Sequence, residues 1–357
     1  MKKTTELKTT TGATTVLSRR SFVQGLAAAI PALATVPKLF AQGSSNAIEL
    51  LKLHNFGLRV TDVERSVAFY QGLFGMPVQS RLGETVCLRI GDGPRFFSIS
   101  PTRAGEQPGF SHIGLSLPNF SLEAVRSQLD DHGFSRGEGL TPGQSRLEVA
   151  MTSWVETQEN NSELFMADQE GLVLQLSAED YCGNGSNCGV LESAPATGKL
   201  QLGDINHFTN FLTSAERANQ FYLNLFGLQF QAYQGPSSPI VGIGDGFQFL
   251  MFIGGGASSV RPSNPARTDH VSMSVADFSV DGILGVLSEY GLTARIDAAN
   301  TQPLEHWVSM RMPNRGGVEG GTPEVYFSDP DGIRIQLQDA SYCGGGDYLG
   351  DRCEALV

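Results

Sequence analysis

Positive charge is scarce in this sequence: 25 lysines and arginines face 37 aspartates and glutamates, a formal net charge of −12 over 357 residues. No basic cluster beyond the N-terminus offsets it, which argues against nucleic acid or an anionic membrane surface as a partner. A small neutral or cationic ligand suits that balance better. Long apolar runs are missing too. The run from Val23 to Leu33 is shorter than the roughly 20 residues that span a bilayer, and no later segment is long enough, so no stable membrane anchor is expected. Gly254-Gly255-Gly256 lacks the Lys and Ser/Thr of a phosphate-binding loop. The 40% hydrophobic content is ordinary for a globular chain and sets aside fibrous and disordered classes.

Cysteine is also sparse. Cys182 and Cys188 bracket one short polar loop, and Cys343 and Cys353 bracket another. Two local disulfides fit this arrangement; a four-thiolate zinc site needs paired short spacings that are not there. Cys87 is left over as a buried thiol. Residues 1–41 combine a basic start, Ser18-Arg19-Arg20-Ser21-Phe22 and the short apolar run. This resembles a twin-arginine export signal, with cleavage after Ala41. It implies a periplasmic or extracellular protein that crosses the membrane folded, with any cofactor already inserted.

What the chain does contain is an internal repeat. Glu163 to Leu176 and Glu324 to Leu337 align without a gap, placing Gln175 on Gln336 and Phe165 on Tyr326, and each runs on to Tyr-Cys-Gly. Both read as hairpins. In the second, Asp329-Pro330-Asp331-Gly332 supplies the turn, and β-rich flanks supply the strands. Alternation puts Gln336 opposite the side taken by Ile335 and Leu337, so a lone polar residue faces whatever the sheet encloses.

Four modules follow one pattern, strand, helix, then three strands. The first opens at Leu53 and has a helix capped by Asp62 and ended by Gly75. The second opens at His112, the third at Ile205 and the fourth at Asp269. A Gly/Ser/Ala/Pro-rich linker, residues 183–203, separates the halves. Four βαβββ modules, with Phe69-Tyr70 and Phe221-Tyr222 in the first helix of each half and a closing D-P-D-G hairpin, resemble the vicinal oxygen chelate superfamily. Glyoxalases, bleomycin-resistance proteins and type I extradiol dioxygenases belong to it. The resemblance implies an α+β fold in which modules pair into two domains, residues 50–182 and 204–342, each an open cupped mixed sheet, followed by a disulfide-pinned tail, residues 343–357.

It also implies a site. Family ligands come from the first strand of each module and the last strand of the second, which in the C-terminal pair are His207, His270 and Gln336. Two imidazoles and one oxygen donor are a general form of metal site that admits substrate. Fe(II) or Mn(II) is the first expectation, with zinc and copper open. In the N-terminal pair His112 matches His270 and Gln175 matches Gln336, but Asn55 takes the place of His207 and His54 sits one residue off. The first half is therefore expected to be a degenerate copy, unless a strand slip restores His54.

Tyr326 falls on a tyrosine of the extradiol signature. Gln336 departs from that signature's carboxylate, and Glu319 stands where it has a His. Losing the carboxylate removes a negative charge from the metal, favouring Lewis-acid work over electron donation to dioxygen. Glu319 is read either as a group restoring that charge or acting as base, or as a solvated loop carboxylate. His306 is read either as an acid or base at the cup mouth or as a half-buried histidine, and Arg334 as an anion binder or a strand-end arginine. The sequence thus points to an exported metalloenzyme of dioxygenase, isomerase or lyase type acting on a small molecule. A non-catalytic binder of the bleomycin-resistance type is the alternative, and a homo-oligomer is left open.

Overall fold

The computed structural model describes residues 47–158, 161–184, 190–235, 238–244, 247–259 and 264–345. The twin-arginine stretch, Cys188 and Cys353 lie outside them.

The first half contains β1 (Lys52–Val60), α1 (Val63–Phe74), β2 (Val78–Leu82), β3 (Thr85–Arg89), β4 (Phe96–Pro101), β5 (Gly109–Leu117), α2 (Leu122–Asp131), β6 (Ser135–Arg136), β7 (Thr152–Gln158), β8 (Asn161–Ala167) and β9 (Val173–Ala178). The second repeats it with β10 (Leu202–Ser214), α3 (Ala215–Phe226), β11 (Phe230–Tyr233), β12 (Pro239–Gly242), β13 (Phe249–Gly255), β14 (Arg267–Val275), α4 (Val280–Glu289), β15 (Thr293–Ala294), β16 (Glu305–Arg311), β17 (Thr322–Ser328) and β18 (Arg334–Gln338). Each half makes one nine-stranded mixed sheet, ordered β2-β3-β4-β1-β5-β9-β8-β7-β6 and β11-β12-β13-β10-β14-β18-β17-β16-β15. The two orders are the same, so the duplication in sequence is a duplication in topology. The first strands of paired modules meet at the centre, β1 on β5 and β10 on β14. Ligand-type residues predicted on those strands are brought together for this reason.

The first helix of each half is fixed at both ends: Asp62 accepts from Arg65 N, Ser214 accepts from Arg217 N, and Gly75 and Gly227 close α1 and α3 in the left-handed conformation. The closing hairpins do more than reverse the chain. Asp329 accepts from the backbone N–H of Asp331 (2.9 Å) and Ile333 (2.8 Å), and Asp168 accepts in the same way from Glu170 (2.8 Å) and Leu172 (2.9 Å). The second oxygen of each aspartate reaches across the molecule. Tyr70 of α1 donates to Asp329 at 3.0 Å, and Tyr222 of α3 donates to Asp168 at 3.1 Å.

Each turn also caps the opposite helix, through Asp331 with Arg65 (2.7 Å) and Glu170 with Arg217 (3.3 Å). One hydrophobic core accordingly runs through both halves. The sheets divide at the linker, but the packing does not.

Candidate functional site

Residues directly opposed across a sheet share a face, so the strand registers define what lines the second cup. One row crosses six strands: Phe249, His207, Ser272, Gln336, Tyr326 and Trp307. The next holds Met251, Thr209, His270, Arg334 and Ser328. His207, His270, Gln336 and Tyr326 therefore converge on one concave face. The imidazoles of His207 and His270 lie edge to face with centroids 5.7 Å apart, and His270 meets the Tyr326 ring at 5.2 Å.

The hydrogen bonds fix which imidazole nitrogen is available. His207 Nδ1 donates to Asn206 Oδ1 at 2.7 Å, and Asn206 is held by its own bond to the Tyr342 carbonyl at 2.7 Å. His270 Nδ1 donates to Asp269 Oδ2 at 3.0 Å, and Asp269 is gripped by Arg334 at 3.1 Å. A proton on Nδ1 leaves the Nε2 lone pair as the ligating group, and a carbonyl or carboxylate behind a histidine is the usual support of a metal ligand. Burial holds His207 well below the usual histidine range, helped by the charges of His270 and Arg311 and opposed by the Gln336 amide. It is thus neutral, as a ligand must be.

Gln336 is fully buried beside the His207 imidazole, which its amide influences, yet neither its Nε2 nor its Oε1 makes a well-formed hydrogen bond among the described residues. Leaving such a group unpaired costs about 1–3 kcal/mol. A metal ion or a ligand oxygen in the cup removes that cost, so the donor set fits a cation. Carboxylates stand further out, and no cluster of three His, Cys, Asp or Glu that would hold a metal by themselves occurs among the described residues.

Two predicted residues are not part of this group. His306 pairs with Phe327 while its neighbour Trp307 pairs with Tyr326, so alternation turns His306 to the helix side, where it meets Ser288 of α4 at 3.0 Å. Of its two readings, strand parity sets aside the acid or base at the cup mouth and leaves a buried histidine. Glu319 is exposed on the loop before β17. The carboxylate that does reach the cup is Glu324, which accepts from Tyr326 (3.3 Å), Tyr342 (3.0 Å) and Arg311 Nε (2.9 Å). Burial, reinforced by the Glu324 charge, pushes the Tyr326 phenol well above its ordinary pKa, so it is a proton donor at neutral pH. The signal for Glu324 was present in the sequence: it opens the repeat, matches Glu163, and shares strand parity with Tyr326.

The first cup carries the same row with other residues: Phe96, Asn55, Gly114, Gln175, Phe165 and Trp154. Here the imidazoles are spent. Asn55 Oδ1 accepts from His112 Nε2 at 3.2 Å while Ser111 holds Nδ1 at 3.0 Å, and His54 Nε2 donates to the Glu179 carbonyl at 3.0 Å. Gly57 permits this, since a Cβ there would sit 2.4 Å from His112 Cε1. No strand slip makes His54 a ligand. Cys87 is a free buried thiol, which burial pushes up to about 12.

Comparison with known proteins agrees with this architecture. Residues 52–146 match the Glyoxalase/Bleomycin resistance protein/Dioxygenase superfamily. Among solved structures, a 2,3-dioxygenase from Pseudomonas sp. KL28 superposes with a TM-score of 0.54 at 15% identity, covering 83% of this chain and 94% of that one. The Mn(II)-bound glyoxalase from Novosphingobium aromaticivorans gives 0.55 at 13% identity, covering 85% and 86%. Homoprotocatechuate 2,3-dioxygenase from Arthrobacter globiformis gives 0.53 at 17%, covering 82% and 80%. At these identities the likeness is one of fold. No protein of curated function matches the chain significantly in sequence.

Proposed function

We propose that the second cup holds a divalent metal ion through His207, His270 and Gln336 and acts on a small oxygen-bearing substrate that chelates it. The observation that carries this reading is the buried Gln336 amide, without a well-formed hydrogen bond at either atom, in one row with His207 and one row from His270. When bound, the ion supplies Lewis acidity and, as Fe(II) or Mn(II), access to redox chemistry. The chain's own groups do the rest. Asn206 and the Asp269–Arg334 pair hold the two imidazoles by Nδ1, and Tyr326, whose proton rests on Glu324, turns it from that carboxylate to a substrate oxygen beside His270 when the substrate binds.

Glu324, its charge matched by Arg311, orients that phenol, and it rather than Glu319 is the carboxylate beside the cup. With two neutral imidazoles and a neutral amide, the site favours an anionic chelating ligand such as a catecholate or an enediolate. The dioxygenase and glyoxalase folds support ring cleavage and isomerase or lyase chemistry respectively.

Metal analysis of the purified chain tests the centre. About one equivalent in the wild type and almost none in His270→Ala is the expected result, and a metal-free wild type refutes it. A catechol panel under oxygen then separates ring cleavage, which yields a yellow product, from the other reactions. Export by the twin-arginine route belongs to the same proposal, supported by Ser18-Arg19-Arg20-Ser21-Phe22 and tested by fusing residues 1–41 to a reporter.

A further inference from the structure

We propose that the segment joining β16 to β17, residues 312–321, is a strap that closes the second cup and lifts to admit a small chelating substrate. Its part in substrate entry rests on the function proposed above, whereas its closing of the cup does not. The two halves part company here. In the first, β7 ends at Gln158 and β8 begins at Asn161; in the second, β16 ends at Arg311 and β17 begins at Thr322. The same strand order therefore carries only residues 159–160 at this point in one half and residues 312–321 in the other.

The inserted segment reaches across the sheet. β11 is the first strand in the order, and β17 and β16 are the seventh and eighth. Gly316 nevertheless lies against the end of β11, where a Cβ on it would stand 2.5 Å from the Tyr233 carbonyl oxygen and 3.1 Å from Gln234 Cα. The crossing is on the concave side. Arg311, which has the strand parity of Trp307, donates from Nε to the Tyr342 hydroxyl at 3.1 Å, and Gln234 donates to the same hydroxyl at 3.4 Å. The Tyr342 ring stands 5.7 Å from the His207 imidazole, centroid to centroid. Arg311, Tyr342 and Gln234 thus bridge the cup from rim to rim.

Burial follows from this bridge. His207, His270, Gln336 and Tyr326 are 1%, 7%, 0% and 8% exposed, so a substrate reaches the ligating atoms only when the cover moves. The first cup, where the insertion is missing, keeps a cavity of about 250 Å³ whose lining includes Gln158 and Gln175. The strap is built to move as a unit. Its backbone hydrogen bonds are internal: Arg315 N–H donates to the Met312 carbonyl (2.8 Å), Gly317 N–H to the same oxygen (3.1 Å) and Gly321 N–H to Val318 (2.9 Å). Among the described residues none joins it to β11, so packing alone seats it there, and an element held that way opens at low cost. At its base, Arg311 donates to the Arg315 carbonyl at 3.4 Å.

Modification of the full chain by diethyl pyrocarbonate after chelator treatment, read at each histidine by peptide mass spectrometry, tests the closure without metal or substrate. Two variants open the strap in different ways. One replaces residues 312–321 with Glu-Asn, the pair that links β7 to β8; the other, Gly316→Ala, drives a methyl group into the Tyr233 carbonyl. Both are expected to speed modification of His207 and His270 by about tenfold or more, with His54 and His112 in the first cup unchanged. Gly320→Ala is the control. Its φ of 86° is as costly to a side chain as the 78° of Gly316, but a Cβ there meets nothing within 4 Å, so rates within about twofold of wild type are expected. Unchanged rates at His207 and His270 in both opened variants overturn the strap. So does an equal rise at His54 and His112, or a rise in Gly320→Ala matching that of Gly316→Ala. Metal content is read separately: shielded histidines in a wild type that binds no metal keep the strap and refute the metal centre, and a bound metal with freely reacting histidines in the chelator-treated wild type does the reverse.

Discussion

The two cups are built on the same strand order and held by the same clamps, yet they have opposite chemical characters. In the second, Nδ1 of each imidazole is occupied and Nε2 is left to ligate. In the first, Asn55 and the Glu179 carbonyl occupy Nε2. The dipeptides that begin this difference are mirror versions of each other, His54-Asn55 and Asn206-His207. The arginines differ in the same way. Arg311 in the second cup is paired directly with Glu324, whereas Arg59, Arg103 and Arg146 of the first donate to backbone carbonyls in a cavity that Glu106, Glu156 and Glu163 also line. A duplicated fold can thus preserve its interlocking turns while one cup leaves its imidazole Nε2 atoms free and its copy spends them on partners within the protein.

The sharpest way to break that comparison is to exchange the histidines. His270→Ala is expected to remove the metal almost completely, while His112→Ala leaves metal content unchanged. Asn55→His is expected to leave stoichiometry at about one, because Arg59 and Arg146 repel a cation there. Elemental analysis reads all three, and a second equivalent in Asn55→His would show that the missing imidazole alone separates the cups.

Next in size is the loss of the paired glutamates. Glu324→Gln strands a buried guanidinium and is expected to cost about 3–5 kcal/mol in urea unfolding. Its counterpart Glu163→Gln faces the neutral Tyr181 hydroxyl and is expected to cost about 1 kcal/mol. Equal costs would mean that Arg311 finds another partner.

How much of this was legible in the sequence divides along physical lines. The modules and their order followed from local periodicity and from a repeat, both written residue by residue, while the convergence of His207, His270 and Gln336 and the place of Tyr326 came from the resemblance those modules carry. Parity along a single strand would have placed His306 on the helix side. The Arg311–Glu324 pair was harder to see, because it joins two strands whose register depends on the turn between them. The charged group of the first cup was invisible for a related reason: Arg59, Arg103 and Arg146 come from a strand end, a loop and the start of a 3-10 turn. The shared core was also unreadable, since Tyr70 and Asp329 are joined only when the halves dock.

That docking predicts equivalence where the cups predict contrast. Tyr70→Phe and Tyr222→Phe each remove one buried hydroxyl from an aspartate in the opposite half. Each is expected to cost about 1 kcal/mol, and the pair should add within about 0.5 kcal/mol because the clamps share no partner. Strong non-additivity in urea unfolding would mean that the halves separate before the chain unfolds.

The smallest expected effect is a pH dependence common to both clamps. Burial raises Asp168 and Asp329 to about 6, against backbone and tyrosine hydrogen bonds that favour the carboxylate. A carboxyl whose folded value lies above its unfolded value of about 4 contributes most stability when protonated. That contribution is present below about pH 4 and is lost as the pH rises through about 6. Other groups run the opposite way. Burial disfavours the Asp269 carboxylate, but its hydrogen bond to His270 and the charges of Arg334 and Arg267 hold it below its ordinary value, so its contribution is lost at acid pH. The difference in melting temperature between wild type and the Asp168→Asn/Asp329→Asn double variant cancels such groups. It should shift against the wild type between about pH 4 and 6 and level off above, with each single variant giving about half. A flat difference would mean that the two aspartates stay ionised in their clamps. The halves would then be joined by charged hydrogen bonds, and the tyrosine substitutions would be expected to cost correspondingly more.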